Sequence, residues 1–188
     1  MKKIGIFFGT DTGTTRLIAK KLMTRVGEEF CAKPLNVNRI TADDFMAYQA
    51  LIIGTPSYGE GALPSAELGV KNGSWEDFLP QLETLDMSGK TIAIYGLGNQ
   101  VKYGDRFVSA MRHLYRFFKD RGATIVGDWS TEGYEFTGSD AIIDGRFLGL
   151  AVDNKNQAML TEARLDQWAE QIREPLKQSA GISETEAA

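Results

Sequence analysis

The chain has 188 residues, 43% of them hydrophobic, and a formal net charge of −4 at pH 7. This length can bury the core of one domain, and the mild acidity argues against nucleic acid as a partner while allowing a basic protein partner. The apolar stretch Ile4–Gly9 is too short for a signal peptide or a membrane span, and the single cysteine, Cys31, precludes an internal disulfide. We therefore expect a cytoplasmic location.

Apolar strands alternate with helical patterns along the chain, which predicts an α/β fold. The predicted strands are Lys2–Gly9, Pro34–Val37, Ala50–Gly54, Thr91–Gly96 and a fifth that begins at Thr124–Trp129 and resumes at Phe147–Val152. Helices are predicted after Thr15, from Ser74, over Phe107–Phe118 and around Leu165–Leu176. Right-handed crossovers then build a doubly wound parallel sheet of five strands, for which we consider the order 2-1-3-4-5, with helices on both faces.

The loop Thr10–Thr15 reads Thr-Asp-Thr-Gly-Thr-Thr and joins the first strand to the first helix. Its hydroxyls, with the N–H groups and positive dipole of the helix N-terminus, can wrap a phosphate. It contains neither the Gly-Lys-Ser/Thr of nucleotide-triphosphate sites nor the Gly-x-Gly-x-x-Gly of dinucleotide sites. The loop favours a monophosphate ligand, although simple helix capping explains the same residues.

Two further loops, Thr55–Leu63 and Leu97–Asp105, follow the third and fourth strands. In the strand order above they neighbour the threonine loop at the carboxyl edge of the sheet, where open α/β sheets bind ligands. Tyr58 and Tyr103 lie at their centres, where each ring could stack on a planar ligand or anchor its own loop.

Five motifs in register give the sequence a family resemblance. They are the loop at 10–15, Gly-Thr-Pro-Ser-Tyr-Gly-Glu-Gly at 54–61, Ser-Trp-Glu-Asp-Phe at 74–78, Gly-Leu-Gly-Asn-Gln-Val at 96–101 and Asp-Asn-Lys-Asn-Gln at 153–157. From about Lys2 to Leu176 the chain resembles a long-chain flavodoxin. The resemblance implies one flavodoxin-like domain at 1–178, a flexible tail at 179–188, and an insertion at Ser130–Arg146 that interrupts the fifth strand.

The same resemblance implies function and site. It implies a low-potential one-electron carrier, not an enzyme, that binds FMN non-covalently and shuttles between semiquinone and hydroquinone. In related flavodoxins a peptide flips when the flavin is first reduced; here it is Gly59–Glu60, and because glycine adopts positive φ at little cost we expect Gly59 to favour the semiquinone. The implied FMN-binding residues are Thr10, Asp11, Thr12, Gly13, Thr14 and Thr15 in the first loop, Thr55, Pro56, Ser57, Tyr58, Gly59, Glu60 and Gly61 in the second, and Leu97, Gly98, Asn99 and Tyr103 in the third.

Three positions depart from the usual family pattern in the direction of positive charge. Asn99 stands where many relatives have aspartate, Lys102 where glycine is common, and Lys155 where an acid is frequent. Because nearby carboxylates oppose an anionic reduced flavin, we expect the second one-electron potential to be less negative than in relatives with acids there.

The resemblance also implies partners. They are redox proteins such as an NADPH-dependent flavodoxin reductase and an electron-accepting enzyme, with nitrogenase or a radical enzyme as possibilities, and we expect a monomer with no membrane contact. An NAD(P)H:quinone oxidoreductase on the same scaffold and a flavin-free phosphate-binding module are the alternatives. His113 falls on the polar side of its helix, and with no second histidine and no cysteine cluster we expect no metal site.

Overall fold

The computed structural model describes residues 3–10 and 12–183, so Asp11 and the end of the chain from residue 184 lie outside it. Strands and helices alternate as predicted from the sequence. In chain order they are β1 (Ile4–Phe8), α1 (Thr14–Val26), β2 (Leu35–Asn36), α2 (Ala42–Met46), β3 (Ala50–Pro56), α3 (Trp75–Phe78), β4 (Thr91–Leu97), α4 (Met111–Asp120), β5 (Thr124–Val126), β6 (Trp129–Ser130), β7 (Ile142–Ile143), β8 (Arg146–Phe147), β9 (Leu150–Val152) and α5 (Ala158–Ser179).

The main sheet is parallel with the order β2-β1-β3-β4-β5, which confirms the predicted fold class. The fifth strand is in two pieces, because Thr91–Ala93 of β4 pairs with β5 whereas Tyr95–Leu97 pairs with β9. Between the pieces, β6, β8 and β7 form a small antiparallel sheet. The insertion predicted at Ser130–Arg146 therefore does interrupt the fifth strand.

Apolar side chains on both faces of the sheet are covered by helices. On one face Ile6 and Ile52 pack with residues of α1 and α5, including the fully buried Trp168. On the other, Phe7 and Ile53 belong to a cluster completed by α2, α3 and α4. Near-continuous apolar strands are expected wherever a parallel sheet is buried on both faces.

Helix α4 begins later than predicted. The sequence pattern starts its apolar stripe at Phe107, but the first helical residue is Met111, so this boundary was wrong. The reason is Val108, whose φ of 50° is left-handed and cannot continue a right-handed helix. Phe107 is still buried, against Tyr134 and Phe147 rather than along the helix stripe.

The predicted C-terminal tail begins at residue 179, which is also the last residue of α5. Just beyond it, Ile182 is buried in the apolar cluster that also contains side chains of α1 and α5. Residues 184–188 of the predicted tail lie outside the described residues. Within residues 3–10 and 12–183, no helix is both long and apolar enough to cross a membrane.

Candidate flavin-binding site

A cavity of about 690 Å³ opens at the carboxyl edge of the sheet, where β1, β3, β4 and β9 end. Its wall contains parts of all three loops predicted from the sequence, and of the segment that follows β9. The predicted residues in the wall are Thr10, Thr12, Thr14, Thr15, Pro56, Ser57, Tyr58, Gly59, Leu97, Gly98, Asn99 and Tyr103. One concave site therefore joins residues that are far apart in sequence.

One end of the cavity is the N-terminus of α1. Gly13 is left-handed with φ 92°, and its N–H donates to Thr10 Oγ1 at 3.0 Å, which closes the turn into the helix. No side chain in the part of the chain that the structure describes caps this helix. The first N–H groups of α1 and the hydroxyls of Thr12 and Thr14 therefore form a neutral donor set suited to a phosphate.

The second loop is a tight turn that brings backbone to the cavity wall. The Gly61 N–H donates to the Tyr58 carbonyl at 2.9 Å, and Tyr58 and Ala62 exchange backbone hydrogen bonds at 2.9 and 2.7 Å. Gly59 has φ 44° whereas Glu60 is not at positive φ, the arrangement of a type II′ turn. A Cβ on Gly59 would meet no atom within 4 Å, so its backbone conformation, not lack of space, favours glycine there.

The second and third loops are joined across the cavity mouth. Arg106 lines the cavity and forms ion pairs with Glu60 and Asp105. Deeper in, Ser57 Oγ accepts a hydrogen bond from the Ala110 N–H at 3.1 Å. These contacts link the second loop to the segment that follows the third.

Tyr103 presents an aromatic ring in the third loop. It is 45% exposed, lines the cavity and has the Lys102 ammonium 5.1 Å from its ring centre. Its N–H donates to the Asn99 carbonyl at 2.9 Å, and Asn99 Oδ1 accepts from the Lys102 N–H and from Asn156 Nδ2, both at 2.9 Å. The ring lies in a folded loop that is hydrogen-bonded to the segment after β9.

The charged side chains of the described cavity wall are all cationic: Lys102, Arg106 and Lys155. Two of them are the lysines singled out from the sequence as departures from the family pattern. The structure therefore places that positive charge at the site, with no carboxylate in the described part of the wall to offset it.

Four predicted site residues do not line the cavity. Gly13 is in the turn behind it, and Thr55 is buried with Oγ1 donating to the Pro56 carbonyl at 2.8 Å. Glu60 points outward to Arg106, and Gly61 lies against Ser109, 2.7 Å from Ser109 Cβ to an ideal Cβ on the glycine. Asp11 lies outside the described residues.

The predicted binding residues left out the wall after β9, although Lys155 in that wall had been singled out for its charge. Because β9 is parallel to β4 and ends at the same edge, the start of the segment after it could have been included. Phe107 and Val108 were harder to find, since a helix was predicted there, and Arg106 lies between the predicted loop and that helix. The additional wall residues are Leu17, Lys102, Arg106, Phe107, Val108, Val152, Asn154 and Lys155.

The cavity lies at the switch point of an open parallel sheet. It combines a helix N-terminus suited to a phosphate with two aromatic rings, and this combination defines a mononucleotide-binding α/β protein. The donors, rings and apolar wall fit FMN, which carries one phosphate and a planar ring. Among residues 3–10 and 12–183, no group of three or more histidine, cysteine, aspartate or glutamate side chains is arranged to hold a metal ion.

Comparison with known proteins narrows this class to a family. The family model described as "Flavodoxin" matches residues 6–168, and the chain belongs to that family. It is 50% identical to a flavodoxin of Klebsiella pneumoniae, covering 92% of this chain and 98% of the relative, and 40% identical to one of Synechocystis, covering 95% and 100%. The crystal structure of Fusobacterium nucleatum flavodoxin bound to flavin mononucleotide is similar with a TM-score of 0.83 and 34% identity, over 94% of this chain and all of that one.

Proposed function

We propose that this chain is a low-potential one-electron carrier that binds FMN non-covalently and serves redox partner proteins. The observation that carries the proposal is the one cavity that joins the N-terminus of α1, which no described side chain caps, to Tyr58 and Tyr103. When bound, FMN supplies a ring that takes up and releases electrons singly. The protein's part is to hold that ring, exclude water from it and set its potential.

The residues divide this work between the two ends of the cavity. Thr10, Thr12, Thr14 and the first N–H groups of α1 hold the phosphate with neutral donors. Tyr58 and Tyr103 contact the ring, where aromatic stacking contributes about 0.5–1.5 kcal/mol beyond area burial. Membership of the flavodoxin family supports this division. Because the Fusobacterium nucleatum relative is bound to flavin mononucleotide, FMN is the first ligand to test with this chain.

The finer assignment concerns partners. We infer an NADPH-dependent flavodoxin reductase as electron donor and an electron-accepting enzyme, such as nitrogenase or a radical enzyme, as acceptor, with the protein acting as a monomer in the cytoplasm. Tyr103, exposed at the cavity mouth, leaves an edge of the site open to solvent, which suits transient contact with a partner.

Binding and redox titrations of the whole protein test the function. We expect the apoprotein to quench FMN fluorescence on binding one equivalent, and the complex to be reduced in two separable one-electron steps. Riboflavin, which lacks the phosphate, should bind more weakly. Failure to bind FMN, or reduction in a single two-electron step, would contradict the proposal.

The quinone oxidoreductase alternative predicts a different result. An enzyme of that class oxidises NADPH in the presence of a quinone without help. We expect the FMN-loaded protein alone to show no such turnover, and to accept electrons from NADPH only when a reductase is added. Sustained NADPH oxidation by the protein alone would favour the alternative.

A further inference from the structure

The carboxylate of Asp153 is the first side chain after β9 and is 1% exposed, but it does not line the cavity. Its Oδ2 accepts from the Gln100 N–H at 3.0 Å, from Gln100 Nε2 at 2.9 Å and from Asn156 Nδ2 at 2.8 Å. Its Oδ1 accepts from the N–H groups of Lys155 at 3.1 Å and Asn156 at 3.0 Å. A buried carboxylate so fully hydrogen-bonded organises the groups that donate to it.

Those donors lie on both sides of the ring end of the cavity. Asn156 Nδ2 also donates to Asn99 Oδ1 at 2.9 Å, and Asn99 in turn holds the N–H groups of Lys102 and Tyr103. Asp153 therefore joins the loop that carries Tyr103 to the segment that carries Lys155. The threonine loop at the other end makes no hydrogen bond with this group among the described residues.

Gln100 extends the same network into the insertion. It is 4% exposed, and its Oε1 accepts from the Glu135 N–H at 2.5 Å while its Nε2 faces Asp153. Burial alone would raise the pKa of the Asp153 carboxyl, but the hydrogen bonds from Asn156 and Gln100 outweigh burial and lower that pKa. The group is thus an anion at neutral pH, as its five donors require.

We propose that Asp153 is the positioning residue of the ring end: its carboxylate holds the Asn99–Tyr103 loop against the 153–157 segment, and so preorganises the wall that contacts the flavin ring. This inference rests on the proposed FMN binding and deepens it. Asp153→Asn replaces one acceptor oxygen with a donor that faces N–H groups, which disrupts the network without changing side-chain size.

The test compares Asp153→Asn with the wild type for three probes, namely FMN, riboflavin and inorganic phosphate competing with FMN. We expect riboflavin and FMN affinities to fall by the same factor, about tenfold, because both share the ring. The inhibition constant of phosphate should not change, because the threonine loop is intact. The control is Asp144→Asn, an equal change of charge at an exposed turn of the insertion with φ 51°, which asparagine tolerates.

The outcomes separate this inference from the proposed function. If the wild type binds no FMN, the proposed function fails. If the wild type binds FMN and folded Asp153→Asn binds both flavins as tightly, the positioning role alone is wrong. A parallel loss of flavin and phosphate affinity would also overturn the positioning role, because it would indicate a general loss of structure.

Asn156→Ala keeps the inference testable if Asp153→Asn does not fold. Asn156 is exposed, so its side chain can be removed with little effect on the core, yet it bridges Asp153 and Asn99. We expect a loss of riboflavin affinity of about threefold with no change for phosphate. Where both single variants fold, the double variant should lose less than the product of the two factors. Unchanged riboflavin affinity in Asn156→Ala, or independent effects of the two changes, would overturn the proposal.

Discussion

The two ends of the cavity are built in different ways. At the phosphate end, the turn that closes the threonine loop is made by near neighbours, such as Gly13 to Thr10 and Thr12 to Thr14, and one long-range hydrogen bond, from the Tyr95 hydroxyl to the Thr15 carbonyl at 2.8 Å, ties the loop to β4. At the ring end, hydrogen bonds join residues more than 50 positions apart, such as Gln100 to Asp153 and Asn99 to Asn156. A local site can be read from a short stretch of sequence, whereas a site assembled from distant loops depends on the whole fold.

This difference predicts that the phosphate end can be disabled without harm to the ring end. Thr12→Glu puts a carboxylate beside the bound phosphate, and two like charges about 4 Å apart near a protein surface repel by about 4 kcal/mol before screening by salt. We expect FMN affinity to fall on the order of 100-fold while riboflavin affinity changes little, as measured by fluorescence titration. Thr12→Gln, of matched size and neutral, is the control.

Loss of riboflavin binding in Thr12→Glu would contradict the independence of the two ends of the cavity. That outcome would mean that the threonine loop also supports the ring end. Equal FMN affinities of Thr12→Glu and Thr12→Gln would instead show that the phosphate does not bind at this end of the cavity.

The ring end should be sensitive to a change at Tyr134 in the insertion, which does not line the cavity but packs against Phe107 of its wall. The Tyr134 hydroxyl accepts from Trp129 Nε1 at 3.0 Å and donates to the carbonyl of Ala151, in β9, at 2.6 Å. Tyr134→Phe leaves both groups without this partner, and we expect the free energy of unfolding to fall by about 1–3 kcal/mol, measured by urea denaturation. Tyr115→Phe is the matched control, because its hydroxyl accepts from Lys119 on an exposed helix surface.

The flavin affinity of Tyr134→Phe also tests whether the insertion supports the ring end alone. Because β9 leads directly into the 153–157 segment, we expect riboflavin affinity to fall while competition by inorganic phosphate is unchanged. A stability loss without any change in riboflavin affinity would show that the insertion braces the fold and not the site.

The same contrast explains how much could be predicted from the sequence. The fold, the strand order and the threonine loop follow from periodic apolar runs and a local motif. Arg106 and Val108 could not be placed, because the residues around them look helical and only the left-handed φ of Val108 delays α4 to Met111. The role of Asp153 was equally hidden, since its partner Gln100 is brought to it by pairing of β4 with β9, and Gln100 is in turn held by the Glu135 N–H of the folded insertion.

The turn Tyr58–Gly61 provides a smaller test at the ring end. Gly59→Ala adds a Cβ that meets no atom within 4 Å, so its cost comes from the positive φ, about 1–2 kcal/mol. That cost is present in both orientations of the Gly59–Glu60 peptide, because the flip changes ψ and not φ of residue 59. The added side chain also restricts ψ, so we expect the separation between the two one-electron potentials to narrow by tens of millivolts, where about 59 mV corresponds to a tenfold change for one electron. Unchanged separation in a potentiometric titration would contradict a role for Gly59.

Flipping the Gly59–Glu60 peptide changes ψ of Gly59 and φ of Glu60 together. The conformational energy of the flip therefore depends on Glu60 as well as on Gly59. Glu60 is additionally held by Arg106. We therefore expect Glu60→Gly to widen the separation that Gly59→Ala narrows. A shift in the same direction for both variants would mean that the turn acts through general loosening of the loop.

The smallest expected effect is electrostatic and concerns Asn99. Asn99 Oδ1 only accepts hydrogen bonds, from the Lys102 N–H and Asn156 Nδ2, so Asn99→Asp keeps both contacts and adds a negative charge at the cavity wall. We expect the second one-electron potential to become more negative by tens of millivolts, because the charge opposes an anionic reduced ring. Lys33→Gln, which makes the same change of one charge at an exposed position outside the cavity wall, is the control for net charge. If the Asn99→Asp shift is no larger than the Lys33→Gln shift, or vanishes at low salt where screening is weakest, the positive wall does not set this potential.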